Sequence, residues 1–199
     1  MSLELWNTFA TFGTFVVIAA TAIAGLIQLR HLSAGNQINA LLSIGEEFKG
    51  QAYGNAWYLV NAKLEQALED RAFRDYVIAL QRGLTPPDVD PQYVELHRAT
   101  LLVGNTHEDL GVLVKNGIVD KDLFFDRYTS LIDRAWKRLE IFTALLRGAA
   151  GSQTPWENFE YLAVPSEQWV QGHPNTYPKD LKRLKLRNPW PVPPRPATA

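Results

Sequence analysis

The chain has 199 residues and no cysteine, with 20 Lys and Arg against 21 Asp and Glu. That length suits one domain of ordinary size, and the near-neutral balance excludes a collagen-like chain, a wholly disordered chain and a strongly basic nucleic-acid binder. Without Cys the chain supplies no disulfide, zinc-thiolate site, iron–sulfur ligand or thiol nucleophile.

The first element is an uncharged run of 25 residues from Leu5 to Leu29, bounded by Glu4 and Arg30. As a helix it spans roughly 37 Å, enough to cross a hydrocarbon core with some tilt. Trp6 sits near one end, where an interfacial aromatic belongs. A cleaved signal sequence would open on Lys or Arg and carry a shorter apolar core; Met1-Ser2-Leu3-Glu4 has no basic side chain, and the run ends in Arg30-His31. The reading is a transmembrane anchor over residues 1–32. Arg30 after the span and Glu4 before it place the body in the cytoplasm and the N-terminus outside by the positive-inside rule. No ionisable group lies inside the run, so it holds no proton relay and no haem or pigment ligand. Ala10, Thr14, Thr21, Gly25 and Gln28 fall in one sector at 100° per residue. Small and hydroxylated residues let another helix approach closely, so this face is the expected contact with integral membrane subunits; a generic span would also contain such residues.

Residues 33–171 read as helical almost throughout, a cytoplasmic bundle. Ile38, Leu41, Leu42 and Phe48, then Tyr53, Trp57, Val60, Leu64 and Leu68, recur at three and four. This either continues the span or restarts after Ser33-Ala34-Gly35. Asp70 caps a short helix ending at Gly83, and Asp90-Pro91 opens a long one closed by Asn116-Gly117. That helix is apolar on most sides and so should be central. Asp120 caps the next, and Gly148-Ala149-Ala150-Gly151-Ser152 reads as a flexible connection. Thr154-Pro155-Trp156-Glu157 reads as a capping box with Pro at the first helical position, starting a last helix that Pro165 ends or kinks. No useful strand alternation appears. The fold class is all-α: an N-terminal transmembrane helix, a cytoplasmic helical bundle and an extended Pro-rich tail.

The tail, residues 172–199, holds seven of the twelve prolines and six basic residues, Lys179, Lys182, Arg183, Lys185, Arg187 and Arg195, against Asp180 alone. Lys182, Arg183, Lys185, Arg187 and Trp190 are the candidate contacts. They suit an anionic leaflet or an acidic protein surface; a solvated tail is the bland reading, and nucleic acid fits poorly because no binding module is present. Pro189 to Pro194 favours polyproline II.

No nucleophile elbow, phosphate loop or His-Glu-x-x-His pattern occurs. No cofactor or metal is expected: in Asn105-Thr106-His107-Glu108-Asp109 the three ionisable residues are consecutive, so they diverge on a helix, and His107 lacks a co-ligand at three or four. Asn105 and Glu108 share a stripe with Val94, Leu101 and Val112 and are expected to form a buried polar clasp. A buried carboxylate needs a cation or several donors, for which Arg127, Arg134 or Arg138 on the next helix are candidates. A ligand-binding carboxylate is the alternative. The tryptophans at 57, 136, 156 and 169 read as core or surface anchors.

Phe15-Val16-Val17-Ile18-Ala19-Ala20-Thr21-Ala22, Gln28-Leu29-Arg30-His31-Leu32, Asn36-Gln37-Ile38-Asn39-Ala40-Leu41-Leu42, Asn105-x-x-Glu108-x-Leu110-Gly111, Gly117-Ile118-Val119-Asp120 and Trp156-Glu157-Asn158-Phe159-Glu160-Tyr161-Leu162 occur in that order. In this the chain resembles a "domain of unknown function" family of small bacterial single-span membrane proteins, over residues 10–165. The resemblance implies one N-terminal span and a helical cytoplasmic domain, with no agreed activity.

The expected function is a non-catalytic accessory subunit of a larger membrane complex, respiratory or photosynthetic, in a bacterial inner membrane. The alternatives are a free-standing anchored sensor or defence module with a ligand pocket near Glu108, and self-association through the span.

Overall fold

The computed structural model describes residues 3–172 and 180–185. It is all-helical, with no strand among the described residues: α1 Leu3–Lys49, α2 Gln51–Glu69, α3 Arg71–Gln81, α4 Pro91–Lys115, α5 Lys121–Ala150 and α6 Glu157–Gly172. One helix, α1, is long and apolar enough over Thr11–Lys49 to span a membrane.

The stretch around Ser33-Ala34-Gly35 does not interrupt α1, so the apolar run and the first helix of the body are one rod and residue 32 falls inside it. A single glycine costs a helix only about 1 kcal/mol, and no proline is present to break it. The first half of the rod bears its apolar side chains outward; Phe12 and Phe15 are 66% and 68% exposed. Only the last turns join the body. Ile44 is buried there, Phe48 meets Tyr53 and Tyr128 edge-on and tilted, and the Tyr128 hydroxyl donates to the Leu41 carbonyl at 3.3 Å. At Gly50 the backbone turns extended (ψ 139°) and α2 starts.

The body is built on α4. It packs against α2 on one side and α6 on the other, while α5 packs against α6 and α3. The buried stripe of α4, Leu96, Thr100, Val103, His107, Leu110 and Val114, recurs at three and four, the spacing that puts side chains on one face. Phe73, Phe124, Ile132, Leu139, Phe142, Phe159 and Leu162 complete the core.

Helix starts follow capping chemistry. Asp70, Asp90 and Asp120 each accept a backbone N–H of the first turn they precede, at 2.8, 2.8 and 2.9 Å. Asp70 also accepts the Tyr93 hydroxyl at 2.6 Å, tying the start of α3 to α4; that bond, the Ala72 amide and nearby Arg74 hold its carboxyl below the usual range against desolvation.

Three sequence expectations change. Gly148 to Ala150 are the last turn of α5 rather than a loose connection, and the helix stops at Gly151, whose φ of 65° is left-handed. The last helix starts at Glu157, because Trp156 has a φ of 55° and so leaves the right-handed region. Pro165 does not end α6; it lacks one ladder N–H, but the helix runs on to Gly172.

Replacing Asp120 with Ala removes the Leu123 amide's acceptor and should lower the stability of the full chain by about 1 kcal/mol, read by chemical denaturation in detergent.

Candidate functional site

The side chains singled out on α4 meet the start of α6, fifty residues further along the chain. Gly104 and Gly111 lie two turns apart on α4 and leave a groove. A β-carbon on Gly104 would overlap the indole of Trp156, and one on Gly111 would overlap the backbone carbonyl of Asn158. Only glycine lets α6 come this close. The polar rim of the groove is directional. Trp156 Nε1 donates to Asn105 Oδ1 at 2.9 Å, Asn158 Nδ2 to Glu108 Oε1 at 2.7 Å, and the Phe159 amide to Glu108 Oε2 at 2.8 Å. The last bond places a carboxylate at the first turn of α6, where free amides and the helix dipole favour negative charge.

The expected clasp is thus made with α6, not with an arginine of α5. Arg138 pairs with Glu65 of α2 at 2.7 Å, and Arg134 donates to the Ser130 carbonyl of its own helix. Arg127 lies over the Tyr128 ring, 5.4 Å from its centroid. Glu108 needs no cation because two neutral donors, one on each oxygen, satisfy it. Burial also differs from expectation: Asn105 is exposed and Glu108 half-buried, since their stripe runs along the edge of the helix contact.

Two contributors escaped the sequence reading. The side chain of Arg147 is only 12% exposed. Its Nε donates to the Pro155 carbonyl at 3.0 Å, Nη2 to the Trp156 carbonyl at 3.4 Å, and Nη1 pairs with Glu160 at 2.8 Å. The guanidinium therefore holds the turn in which Trp156 adopts its unfavourable φ, a conformation that costs on the order of 1–3 kcal/mol and persists only when its surroundings impose it. The planar fork of arginine suits this task and an ammonium does not. Nothing in the local sequence distinguishes Arg147 from a solvated arginine near a helix C-terminus.

The second is His107, which is fully buried. Its Nδ1 donates to the Val103 carbonyl at 2.7 Å, its ring stacks on Phe159 at 4.6 Å, and Phe48 and Tyr53 close the other sides. Nε2 has no partner, so this ring is neutral. Burial pushes its pKa down to about 4, the Val103 bond opposing. Burial likewise raises the Tyr53 phenol, with Arg134 opposing. The signal for His107 was present in its spacing from Val103, Leu110 and Val114.

On α1, Thr14, Thr21 and Gln28 are exposed and Gly25 is half-buried; the Thr21 hydroxyl donates to the Val17 carbonyl at 2.8 Å. The Ala10 side chain lies outside the described part. In the tail, Lys182, Arg183 and Lys185 are exposed. Arg187, Trp190 and the proline run lie outside the described residues. Among the described residues, no group of three or more His, Asp or Glu could hold a metal ion.

The α4–α6 contact is therefore an interlock of shape and hydrogen bonds. Gly104→Ala should destabilise the full chain by about 1–3 kcal/mol, because the added β-carbon overlaps the indole, and should shift tryptophan emission to longer wavelength as Trp156 is displaced toward water. Thermal and fluorescence measurements on the detergent-solubilised protein check this.

A pH effect follows from His107. Its folded pKa is about 4 against the ordinary value of 6.5, so below pH 6.5 the unfolded chain takes up a proton that the folded chain refuses. Stability should be full above that value and fall by up to about 3 kcal/mol as pH drops to about 4. His97, also lowered by burial and by Arg98, adds a slope of the same sign. In His107→Phe the denaturation midpoint should lose the His107 part of this slope.

No curated protein and no solved structure matches the chain. The family model of DUF4760, a domain of unknown function, matches residues 15–169. That match runs from within α1 to the last turn of α6, and so takes in both halves of the interlock. On this extent of agreement, the chain belongs to the DUF4760 family.

Proposed function

We propose that this protein is a non-catalytic, single-span accessory subunit of a larger membrane complex, respiratory or photosynthetic, in a bacterial inner membrane. The observation that supports this reading best is α1. It is one continuous helix whose first half exposes its large apolar side chains while only its last turns touch the body. A free helix of this composition in water would leave a large apolar surface uncovered; lipid and neighbouring spans cover it. The absence of ionisable groups from Leu5 to Leu29 suits packing rather than transport.

In this reading the face of Ala10, Thr14, Thr21, Gly25 and Gln28 packs on the spans of other subunits, and the body lies on the cytoplasmic side, as Arg30 against Glu4 suggests. The α4–α6 interlock supports an architectural role for Asn105 and Glu108, whose polar atoms are engaged with α6. No comparable observation favours a ligand pocket at Glu108.

Native membranes extracted in mild detergent and separated as intact complexes should carry this chain in one large assembly at fixed stoichiometry, identified by mass spectrometry. Migration near the size of a monomer or small oligomer would overturn the proposal.

A further inference from the structure

We propose that the basic segment around Lys182, Arg183 and Lys185 binds the anionic headgroups of the same bilayer that α1 enters, giving the protein a second, electrostatic attachment. The inference rests on the membrane-anchored part of the reading above and is independent of any host complex.

The first argument is where the chain leaves the bundle. Trp169, in the last turn of α6, packs on Phe125 near the start of α5, with ring centroids 6.1 Å apart. One turn further on, Tyr128 contacts Phe48 and donates to Leu41 of α1. The end of α6 thus lies at the α1 end of the body. Leu41 is twelve residues beyond Leu29, the last residue of the uncharged run, which is roughly 18 Å along a helix. From Gly172 to Lys182 an extended chain reaches at most roughly 36 Å. The tail is long enough to cover that gap.

The second argument is chemical. Lys182, Arg183 and Lys185 are interleaved with Leu181 and Leu184, and all five are exposed; Leu184 is 85% exposed. Bases with leucines between them suit the interface, where the charges meet headgroup phosphates and the leucines enter the acyl boundary. The body offers a rival anionic surface, the groove lined by Glu69, Asp70, Asp88 and Asp90. It lies where α2 ends and α4 begins, roughly 28 Å along α2 from the α1 end. Both surfaces lie within the tail's reach, but the path from the α1 end is shorter to the bilayer, roughly 18 Å against roughly 28 Å, and so favours it. This segment also lies beyond residues 15–169, so the attachment is a property of this chain rather than of the family match.

The chain has no cysteine, so Asn188→Cys gives a single thiol for a fluorescent donor. The full-length labelled protein is placed in nanodiscs carrying acceptor-labelled lipid. One set contains phosphatidylglycerol with phosphatidylcholine, the other phosphatidylcholine alone. Energy transfer should be strong only with phosphatidylglycerol and should fall as salt is raised. With bases near an anionic surface worth roughly fivefold each, reversing Lys182, Arg183 and Lys185 to Glu should weaken tail docking on the order of a hundredfold or more. Exchanging Lys for Arg and Arg for Lys at the same positions should preserve it. Equal transfer in both lipids, no transfer in either, or indifference to charge reversal would overturn the proposal and point to the protein's own acidic groove or an acidic partner. A chain that fails to enter the discs at all would overturn the anchored reading instead, and this one with it.

Discussion

The close approach of α6 to α4 is the constraint on which the body depends. Two helices ordinarily stand 8–10 Å apart because side chains fill the space between them. Here Gly104 and Gly111 remove the side chains from one wall, and the Trp156 indole and the Asn158 backbone occupy the room. The contact is then locked at its rim by Asn105 and Glu108, whose acceptors take three donors from the start of α6. Shape brings the helices together, and the hydrogen bonds set their register. Neither would hold α6 alone, since a 16-residue helix is marginal in water without packing.

The backbone at Trp156 shows what that contact demands. A left-handed φ on a bulky residue is unfavourable, yet it turns the indole into the groove and starts α6 one residue later. Arg147 reaches from α5 to the carbonyls of Pro155 and Trp156 and to Glu160, so three helices converge on one turn. The same region packs against His107, whose neutral ring stacks on Phe159 and meets Phe48 of α1. The rod that carries the apolar run is thereby joined to the interlock through aromatic contacts. From Thr11 to Leu32 nearly all of its side chains are exposed.

Much of this was legible along the chain. The helices over 71–81, 91–115 and 121–150 announce themselves by capping aspartates and apolar spacing, because both signals are local. Asn105 and Glu108 stood out because polar groups beside an apolar stripe need partners. Their true partners were not legible. The arginines of the next helix were the candidate partners, but the contact is made by neutral donors fifty residues away. The start of α6 was misread for the same reason: Thr154-Pro155 has the local chemistry of a helix start, and the tertiary demand on Trp156 overrides it. His107 was weighed only as a metal ligand lacking a co-ligand, although its spacing from Val103, Leu110 and Val114 put it in the core.

The amino-acid sequence by itself determined the all-α class, the single apolar run from Leu5 to Leu29 and most helix boundaries, since these depend on hydropathy, propensity and caps within a few residues. Only the tertiary structure decided that Gly104 and Gly111 are a groove, that Trp156 fills it, and that Glu108 serves the first turn of α6 rather than an arginine. The physical reason is range. A cap or a stripe is a matter of neighbours, whereas the room left by a missing β-carbon has meaning only when a distant segment arrives to occupy it.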